Sequence, residues 1–335
     1  MTGERPTSTT RTRLPIRPVS GTAAGTAYLA LPPTAVDARP AGPTRLIIGW
    51  PGFDPPRAAA AFAAAVPLTG VPTWRVYLEL PAPDGEPPAG LTSGDLLDEA
   101  GIERYATVVE RAVARLPAVL AALRRDLGLD DGPIGLTGFS AGGTAALLAL
   151  ARGVVPVSAA AVVAPVIAPA GAARALEKRS GRERAWSARA HDLAARLDLA
   201  ACAGDISGRG AALLLVAGAK DRLVPHSEIT ALRDRLKLHG AETVDSATLR
   251  MGHQLAAGPG TQPLPPTIEA VRADGALSDW FRERLATVGP PQAVLAPQAA
   301  PPTAAQTEHR PAQGPVPLHL EGSGLEAAGS AGRRA

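Results

Sequence analysis

A serine lies between two glycines in the stretch Gly138-Phe139-Ser140-Ala141-Gly142. At this spacing a serine can be forced onto a turn too tight for other residues, so that its hydroxyl projects as a nucleophile. Residues 133 to 137 form a short apolar run typical of a buried strand, and residues 143 to 152 are rich in helix formers. The sequence therefore predicts a strand, a sharp turn that carries Ser140, and a helix.

The two glycines of this stretch have a steric explanation. A reversal from strand to helix in so few residues crowds the backbone, and Gly138 and Gly142 remove Cβ atoms that would collide. Unpaired N–H groups at the start of the new helix would favour negative charge that develops near Ser140. The alternative interpretation is a Gly-Ser turn with no chemistry.

A nucleophilic serine needs two further side chains. Its hydroxyl requires an imidazole to take the proton, and the imidazole requires a carboxylate to fix its tautomer. In parallel sheets these side chains are sought just beyond the carboxyl ends of strands. Asp221 follows the buried run Leu213 to Gly218, and His253 follows the last predicted strand. Ser140, Asp221 and His253 are therefore predicted to form a catalytic triad.

The other histidines and several acidic residues are less well placed for this role. They lie in helices, inside a strand, in a predicted insertion or in the C-terminal tail: His191, His226, His239, His309, His319, Asp192, Asp198, Asp205 and Asp245. A lone aspartate in a loop is often a turn or cap residue. Asp221 and His253 are preferred as partners of Ser140 because each of the three residues follows a predicted strand and because they occur in the order Ser, Asp, His.

Acyl transfer also needs two N–H donors for the tetrahedral oxyanion. Ala141, directly after the serine, supplies the first, and the loop of residues 49 to 56 is the candidate for the second. Its prolines have no N–H and are eliminated. Phe53 is the predicted donor, with Trp50 as second choice, and a proline-rich turn without this role is the alternative.

Strands and helices alternate along the chain, which predicts a mostly parallel sheet with helices on both faces. The predicted strands are Leu14–Val19, Thr26–Leu31, Arg45–Ile48, Trp74–Leu80, Pro133–Thr137, Ala160–Ile167, Ala212–Ala217 and Thr243–Leu249. The predicted helices are Arg57–Val66, one across residues 102 to 127, Gly143–Arg152, Glu228–Leu238 and a last one around Leu277–Leu285.

Three segments together resemble the α/β-hydrolases, over about residues 14 to 287: Gly138 to Gly143, Gly218 to Pro225, and Gly252-His253. The resemblance implies an eight-stranded, largely parallel sheet with Ser140 as nucleophile, His253 as base and Asp221 as the residue that orients it. Many relatives have His-Gly in the oxyanion loop where this chain has Pro51-Gly52.

Residues 171 to 203 are predicted to be two helices around Ser180-Gly181, at the place where the family inserts its cap. Basic residues outnumber acidic ones here and could steer an anionic substrate, although a solvated helical face is the alternative: Arg174, Lys178, Arg179, Arg182, Arg184 and Arg189 against Glu177 and Glu183. Trp186 could line a substrate pocket with Trp50, Phe53 and Phe139, or simply pack a helix onto its neighbour.

Composition limits the classes of protein and partner. The 335 residues carry a net charge of only +3, from 34 basic and 31 acidic residues, so nucleic acid is not an expected partner. The single cysteine, Cys202, excludes an intramolecular disulfide. No apolar signal segment or membrane-spanning run is evident, so a cytoplasmic location is predicted. No cofactor or metal is implied, because no ligand cluster or phosphate-binding loop is present.

We therefore expect one α/β-hydrolase domain across residues 13–288, with a cap insertion at about 171–203 and disordered ends at 1–12 and 289–335. The predicted function is a serine hydrolase that cleaves small carboxylic esters through an acyl-enzyme. One alternative is a prolyl-oligopeptidase-like serine peptidase, and another is a non-catalytic protein of the same fold that binds a ligand or partner. The sequence leaves the oligomeric state open.

Overall fold

The computed structural model describes residues 17–34, 38–81 and 91–288. The ends predicted to be disordered, residues 1–12 and 289–335, lie outside these ranges. No helix within the described ranges is long and apolar enough to cross a membrane. The cytoplasmic location stays a prediction.

Ten strands lie in the described part of the chain: β1 Val19–Ala23, β2 Thr26–Leu31, β3 Ala38–Pro40, β4 Leu46–Trp50, β5 Trp74–Leu78, β6 Ile134–Phe139, β7 Val157–Val163, β8 Ala212–Gly218, β9 Val244–Leu249 and β10 Ala286–Val288. Eight of them form one sheet in the order β1-β2-β5-β4-β6-β7-β8-β9. Within this sheet the pairs β1–β2 and β2–β5 are antiparallel and the other pairs are parallel, while β3 and β10 form a separate antiparallel pair. The predicted eight-stranded, mostly parallel sheet is confirmed.

The helices described are α1 Ala59–Ala65, α2 Glu99–Leu127, α3 Ala141–Arg152, α4 Pro169–Ser180, α5 Ala188–Arg196, α6 Ala203–Ser207, α7 His226–Leu238 and α8 Ile268–Leu285, with a 3₁₀ helix at Ser93–Leu97. They cover both faces of the sheet, as predicted. Side chains of a strand alternate between faces, so Leu213 and Leu215 of β8 pack with helices α2 to α7. Leu214 and Val216 pack with α1 and α8.

The first hairpin is shifted from its predicted position. The first strand was predicted at Leu14–Val19, but β1 begins at Val19, and residues 14 to 16 lie outside the described ranges. Ala24 and Gly25 both have positive φ, at 45° and 76°. A two-residue turn of this kind fixes the register of a hairpin, and it pairs Val19 with Ala30.

Two other elements also differ in extent from the prediction. The strand predicted at Ala160–Ile167 is β7, which ends at Val163 because Ala164 turns the chain with a φ of 45°. The last helix begins at Ile268, about nine residues before its predicted start. The side chain of Thr267 caps it by accepting a hydrogen bond from the N–H of Ala270 at 3.1 Å.

Helices α4 and α5 lie in the segment predicted as an insertion, and polar contacts tie that segment to the start of α2. Arg182 pairs with Asp98 at 3.2 Å, and Arg189 pairs with Glu103 at 3.2 Å. The indole N–H of Trp186 donates to the carbonyl of Leu96 at 2.9 Å. The segment is therefore held on the face of the sheet that α2 covers.

Candidate active site

Ser140 lies on the turn between β6 and α3, and its backbone has a conformation that residues other than glycine rarely adopt. Its φ is 51° and its ψ is −119°. A backbone conformation of this kind is strained, and it persists only where neighbouring groups hold the residue in place. The N–H of Ser140 donates to the carbonyl of Val163 at 3.0 Å, and its carbonyl accepts from the N–H of Thr144 at 3.0 Å. The turn is thus held by the neighbouring strand and by the helix that follows.

The predicted steric role of the two glycines is confirmed. A Cβ on Gly138 would lie 2.4 Å from the carbonyl carbon and oxygen of Gly142. A Cβ on Gly142 would lie 2.2 Å from the carbonyl oxygen of Trp50 and 2.3 Å from that of Pro51. Gly138 therefore permits the turn itself, whereas Gly142 permits the loop after β4 to lie against it.

The structure brings Ser140, Asp221 and His253 together in one chain of hydrogen bonds. The Nδ1 atom of His253 is 2.8 Å from Oδ2 of Asp221, and its Nε2 atom is 2.9 Å from Oγ of Ser140. A carboxylate only accepts hydrogen bonds, so Nδ1 carries the hydrogen and Nε2 is free to accept from the serine hydroxyl. This is the arrangement that a general base for Ser140 requires.

Asp221 is fixed by its own loop. Its Oδ1 atom accepts hydrogen bonds from the N–H groups of Leu223 and Val224, at 2.8 and 2.9 Å. The side chain has no exposed surface, while that of His253 is 10% exposed. Because both oxygens of Asp221 are engaged, the carboxylate holds the imidazole in one orientation.

The loops that carry Asp221 and His253 are in direct backbone contact. The N–H of Lys220 donates to the carbonyl of Met251 at 2.9 Å. A Cβ on Gly218 would lie 2.7 Å from the same carbonyl oxygen. Strands β8 and β9 are parallel neighbours, so both loops begin at the same edge of the sheet. Ser140 follows β6 at this edge as well.

The two predicted oxyanion donors directly follow Ser140 and Gly52 in the chain. Neither the N–H of Ala141 nor that of Phe53 donates a hydrogen bond within the described residues. A Cβ on Gly52 would lie 2.9 Å from Cβ of Ser140, so the loop touches the nucleophile. The ring of Phe53 packs edge-on against Tyr105 at 5.3 Å, which anchors that loop. Trp50, the second choice, is instead the last residue of β4.

Sequence reasoning missed Asp54, the residue after Phe53. Its Oδ2 atom lies 3.5 Å from Nε2 of His253 and also accepts a hydrogen bond from the hydroxyl of Ser93. The side chain of Asp54 is 18% exposed, whereas Ser140 is fully buried. Its position in the oxyanion loop is the signal in the sequence that points to it.

The aromatic residues predicted to bind substrate occupy different surroundings. Trp50 and Phe139 are fully buried, and the ring of Phe139 lies 5.3 Å from that of His253. Trp186 packs edge-on against His191 of α5 at 5.3 Å. Contact of these side chains with a substrate stays a prediction.

Three of the less well placed histidines stand in or next to helices, whereas His309 and His319 lie outside the described residues. His191 is within α5, His226 begins α7 and His239 follows its last residue. In the part of the chain that the structure describes, no group of three or more His, Cys, Asp or Glu side chains is arranged to hold a metal ion.

No protein-family model matches the sequence, and a search of curated proteins finds no match. Solved structures do match. TT1662 from Thermus thermophilus has a TM-score of 0.54 and 20% identity, over 81% of this chain and 99% of its own. The Pyrococcus furiosus esterase Pf2001 has a TM-score of 0.51 and 16% identity, over 82% of this chain and 94% of its own.

Solved structures of peptidases are also similar to this chain. The Pyrococcus horikoshii acylaminoacyl peptidase has a TM-score of 0.55 and 13% identity, over 82% of this chain but only 42% of the peptidase. This chain thus spans less than half the length of that enzyme. At such identities the likeness concerns the fold, and the fold of this chain is the α/β-hydrolase fold.

Proposed function

We propose that this protein is a serine hydrolase that cleaves small carboxylic esters through an acyl-enzyme. The observation that carries the proposal is the position of His253, 2.9 Å from Oγ of Ser140 and 2.8 Å from Oδ2 of Asp221. A serine held on a strained turn beside an oriented imidazole has no evident structural purpose. The same geometry argues against a protein that only binds a ligand or partner.

The proposed reaction has two halves. Ser140 Oγ adds to the ester carbonyl while Nε2 of His253 takes its proton, and the N–H groups of Ala141 and Phe53 donate to the oxyanion. The bond between the carbonyl carbon and the alcohol oxygen then breaks, and His253 returns the proton to the departing alcohol. Water repeats the sequence on the acyl-enzyme, which releases the acid and restores Ser140.

The first test is covalent labelling with a fluorophosphonate probe, which reacts with activated serines. We expect native protein to be labelled and Ser140→Ala to be unlabelled. Ser227→Ala is the matched control, because this exposed serine lies near the start of α7, and it should be labelled as well as native protein. Unlabelled native protein, or equal labelling of Ser140→Ala, would show that Ser140 is not an activated nucleophile.

A peptidase is the second candidate function, because an acylaminoacyl peptidase and a Mycobacterium tuberculosis puromycin-hydrolyzing peptidase are among the similar structures. We place esters first, since an alcohol leaves a tetrahedral intermediate more readily than an amine, which must first be protonated. Short-chain nitrophenyl esters and aminoacyl nitroanilides separate the two. Turnover of the anilides alone would reverse this order.

A further inference from the structure

A cleft of about 480 Å³ lies between α4 and the beginning of α7. Its volume falls within the range of small-molecule sites. Four basic side chains line it, namely Arg174, Lys178 and Arg179 from α4 and Arg222 from the loop after β8. Glu228 is the one acidic residue among the described residues of its wall. The cleft therefore has a formal charge of +3, from four positive side chains and one negative.

The basic residues of α4 are placed where they repel one another. Arg174 and Lys178 are four positions apart, so they lie on one face of the helix. Like charges at this spacing destabilise a helix by a few tenths of a kcal/mol. Gly171 and Ala175 lie on the same face and also line the cleft. Ala175 has only a methyl side chain, and the Glu228 carboxylate occupies the space beside Gly171.

The basic residues of the cleft also lack the ion pairs that their neighbours have. Three other arginines of the same segment each have a carboxylate partner: Arg182 with Asp98, Arg184 with Glu177 and Arg189 with Glu103. By contrast, no carboxylate oxygen lies within 4.0 Å of the four basic side chains of the cleft in the described part of the chain. Their charge is therefore available to a ligand.

Glu228 offsets only a part of the positive charge of the cleft. Its carboxylate lies against Gly171, where an added Cβ would be 2.8 Å from Oε1. Burial raises the pKa of Glu228, and the attraction of Arg174 opposes this only in part, while Asp198 and Asp221 raise it further. The carboxyl group is thus less readily ionised than a free one, and at most it offsets one of four positive charges.

We propose that the cleft between α4 and α7 binds a small molecule that carries a dianionic phosphate group. Guanidinium groups match phosphate oxygens with paired hydrogen bonds, and three of the four cations are arginines. A dianion offsets most of the excess charge. The cations line an open cleft of about 480 Å³, a volume that suits a small molecule. Binding itself does not depend on the proposed esterase activity, and only the form in which the phosphate belongs to the ester rests on it.

Calorimetric titration of the full chain with glycerol 3-phosphate tests the proposal, with glycerol as the uncharged control and ionic strength held constant. We expect saturable binding with one site. Arg174→Gln combined with Lys178→Gln should weaken it by about tenfold or more, the loss typical of two charge-assisted contacts. Arg222→Gln is a second, independent variant on the opposite wall, and it should weaken binding in the same direction.

Arg235→Gln combined with Lys237→Gln is the matched control, because it removes one arginine and one lysine from exposed positions of α7 outside the cleft. Binding should stay within about twofold of native protein, since distant surface charges are screened. Absence of saturable binding, or equal weakening by the control pair, would overturn the proposal. Binding by Ser140→Ala should match that of native protein, which separates this proposal from failure of the hydrolase.

The phosphate could belong to a separate ligand or to the ester itself, and kinetics distinguish the two. If it is part of the substrate, the Arg174→Gln/Lys178→Gln pair raises KM for an acyl glycerol phosphate and leaves KM for a neutral nitrophenyl ester unchanged. If it belongs to a separate ligand, KM for both esters is unchanged while calorimetric binding is lost. If the Arg174→Gln/Lys178→Gln variant binds glycerol 3-phosphate as tightly as native protein does, neither a separate phosphate ligand nor a phosphate of the ester binds in this cleft.

Discussion

His253 lies between two carboxylates, one facing each nitrogen of its ring. Asp221 faces Nδ1 at 2.8 Å, and Asp54 faces Nε2 at 3.5 Å. In neutral imidazole, Nε2 accepts from Ser140 and has no hydrogen to give to Asp54. In the proposed reaction, the N–H formed when the serine proton moves to Nε2 would be shared between Ser140 and Asp54. We therefore expect Asp54 to stabilise the charged imidazole that accompanies the tetrahedral intermediate.

We expect Asp54→Asn to lower kcat for a short nitrophenyl ester by about tenfold, which corresponds to about 1.4 kcal/mol of transition-state free energy. Steady-state kinetics give kcat and KM separately. Ser93→Ala, which removes the hydroxyl that donates to Asp54, should lower kcat to a smaller extent. An unchanged kcat with a raised KM would mean that Asp54 contacts only the substrate.

Asp221→Asn should lower kcat by about 10⁴-fold with little change in KM. The amide can still accept from Leu223 and Val224, but its NH₂ group would face Nδ1 and place the imidazole hydrogen on Nε2. Nε2 could then no longer take the proton of Ser140. Circular dichroism checks that the variant is folded, and a kcat within tenfold of native would refute the role of Asp221.

At the scale of elements, the turn between β6 and α3 depends on the loop after β4. We expect Gly142→Ala to abolish most esterase activity and to lower the free energy of unfolding by about 1–3 kcal/mol, because its Cβ would lie 2.2 Å from a backbone carbonyl that cannot easily move. Kinetics and thermal unfolding measure the two effects. Gly275→Ala, where a Cβ in α8 meets nothing within 4 Å, is the control and should raise stability by about 1 kcal/mol.

Asp274 of α8 gives the fold a pH dependence. Its Oδ1 atom accepts from the N–H of Leu68 at 2.7 Å, and burial raises its pKa from 3.8 to about 6, although this hydrogen bond and Arg75 lower it. Between these two values the folded protein holds a proton that the unfolded chain has lost. The contribution of Asp274 to stability therefore falls as the pH rises from about 4 to about 6, and it is constant above.

We expect Asp274→Asn to remove this contribution to the pH dependence. Urea unfolding at pH 4.5 and pH 6.5 should show that the native protein loses about 2 kcal/mol more stability over this interval than the variant does. Asp234→Asn, at an exposed position of α7, is the control and should resemble native protein. Parallel pH profiles for native protein and Asp274→Asn would contradict the raised pKa.

At the scale of the whole molecule, parallel strands bring distant residues to one edge of the sheet. Ser140 and His253 are 113 positions apart, and they meet because β6, β7, β8 and β9 are successive parallel neighbours. The same edge receives the segment after β7, which places α4 beside the loop that carries Arg222. The candidate active site and the basic cleft thus both depend on one sheet topology.

Local patterns of residues predict the fold class and the three polar residues at the centre of the site. Alternating strands and helices specify a parallel sheet. Gly138 and Gly142 mark the turn through local sterics, and Asp221 and His253 stand directly after apolar runs. Each of these signals lies within a few residues of the position it identifies.

Only the tertiary structure decided which distant groups meet. The approach of Asp54 to His253 and the cleft between α4 and α7 depend on packing between segments far apart in the chain. Electrostatic energy depends on distance in space, and a strand's register depends on its partner. Neither quantity is present in a local pattern of residues, which is why the sequence could name Ser140 and its partners but not the second carboxylate beside them.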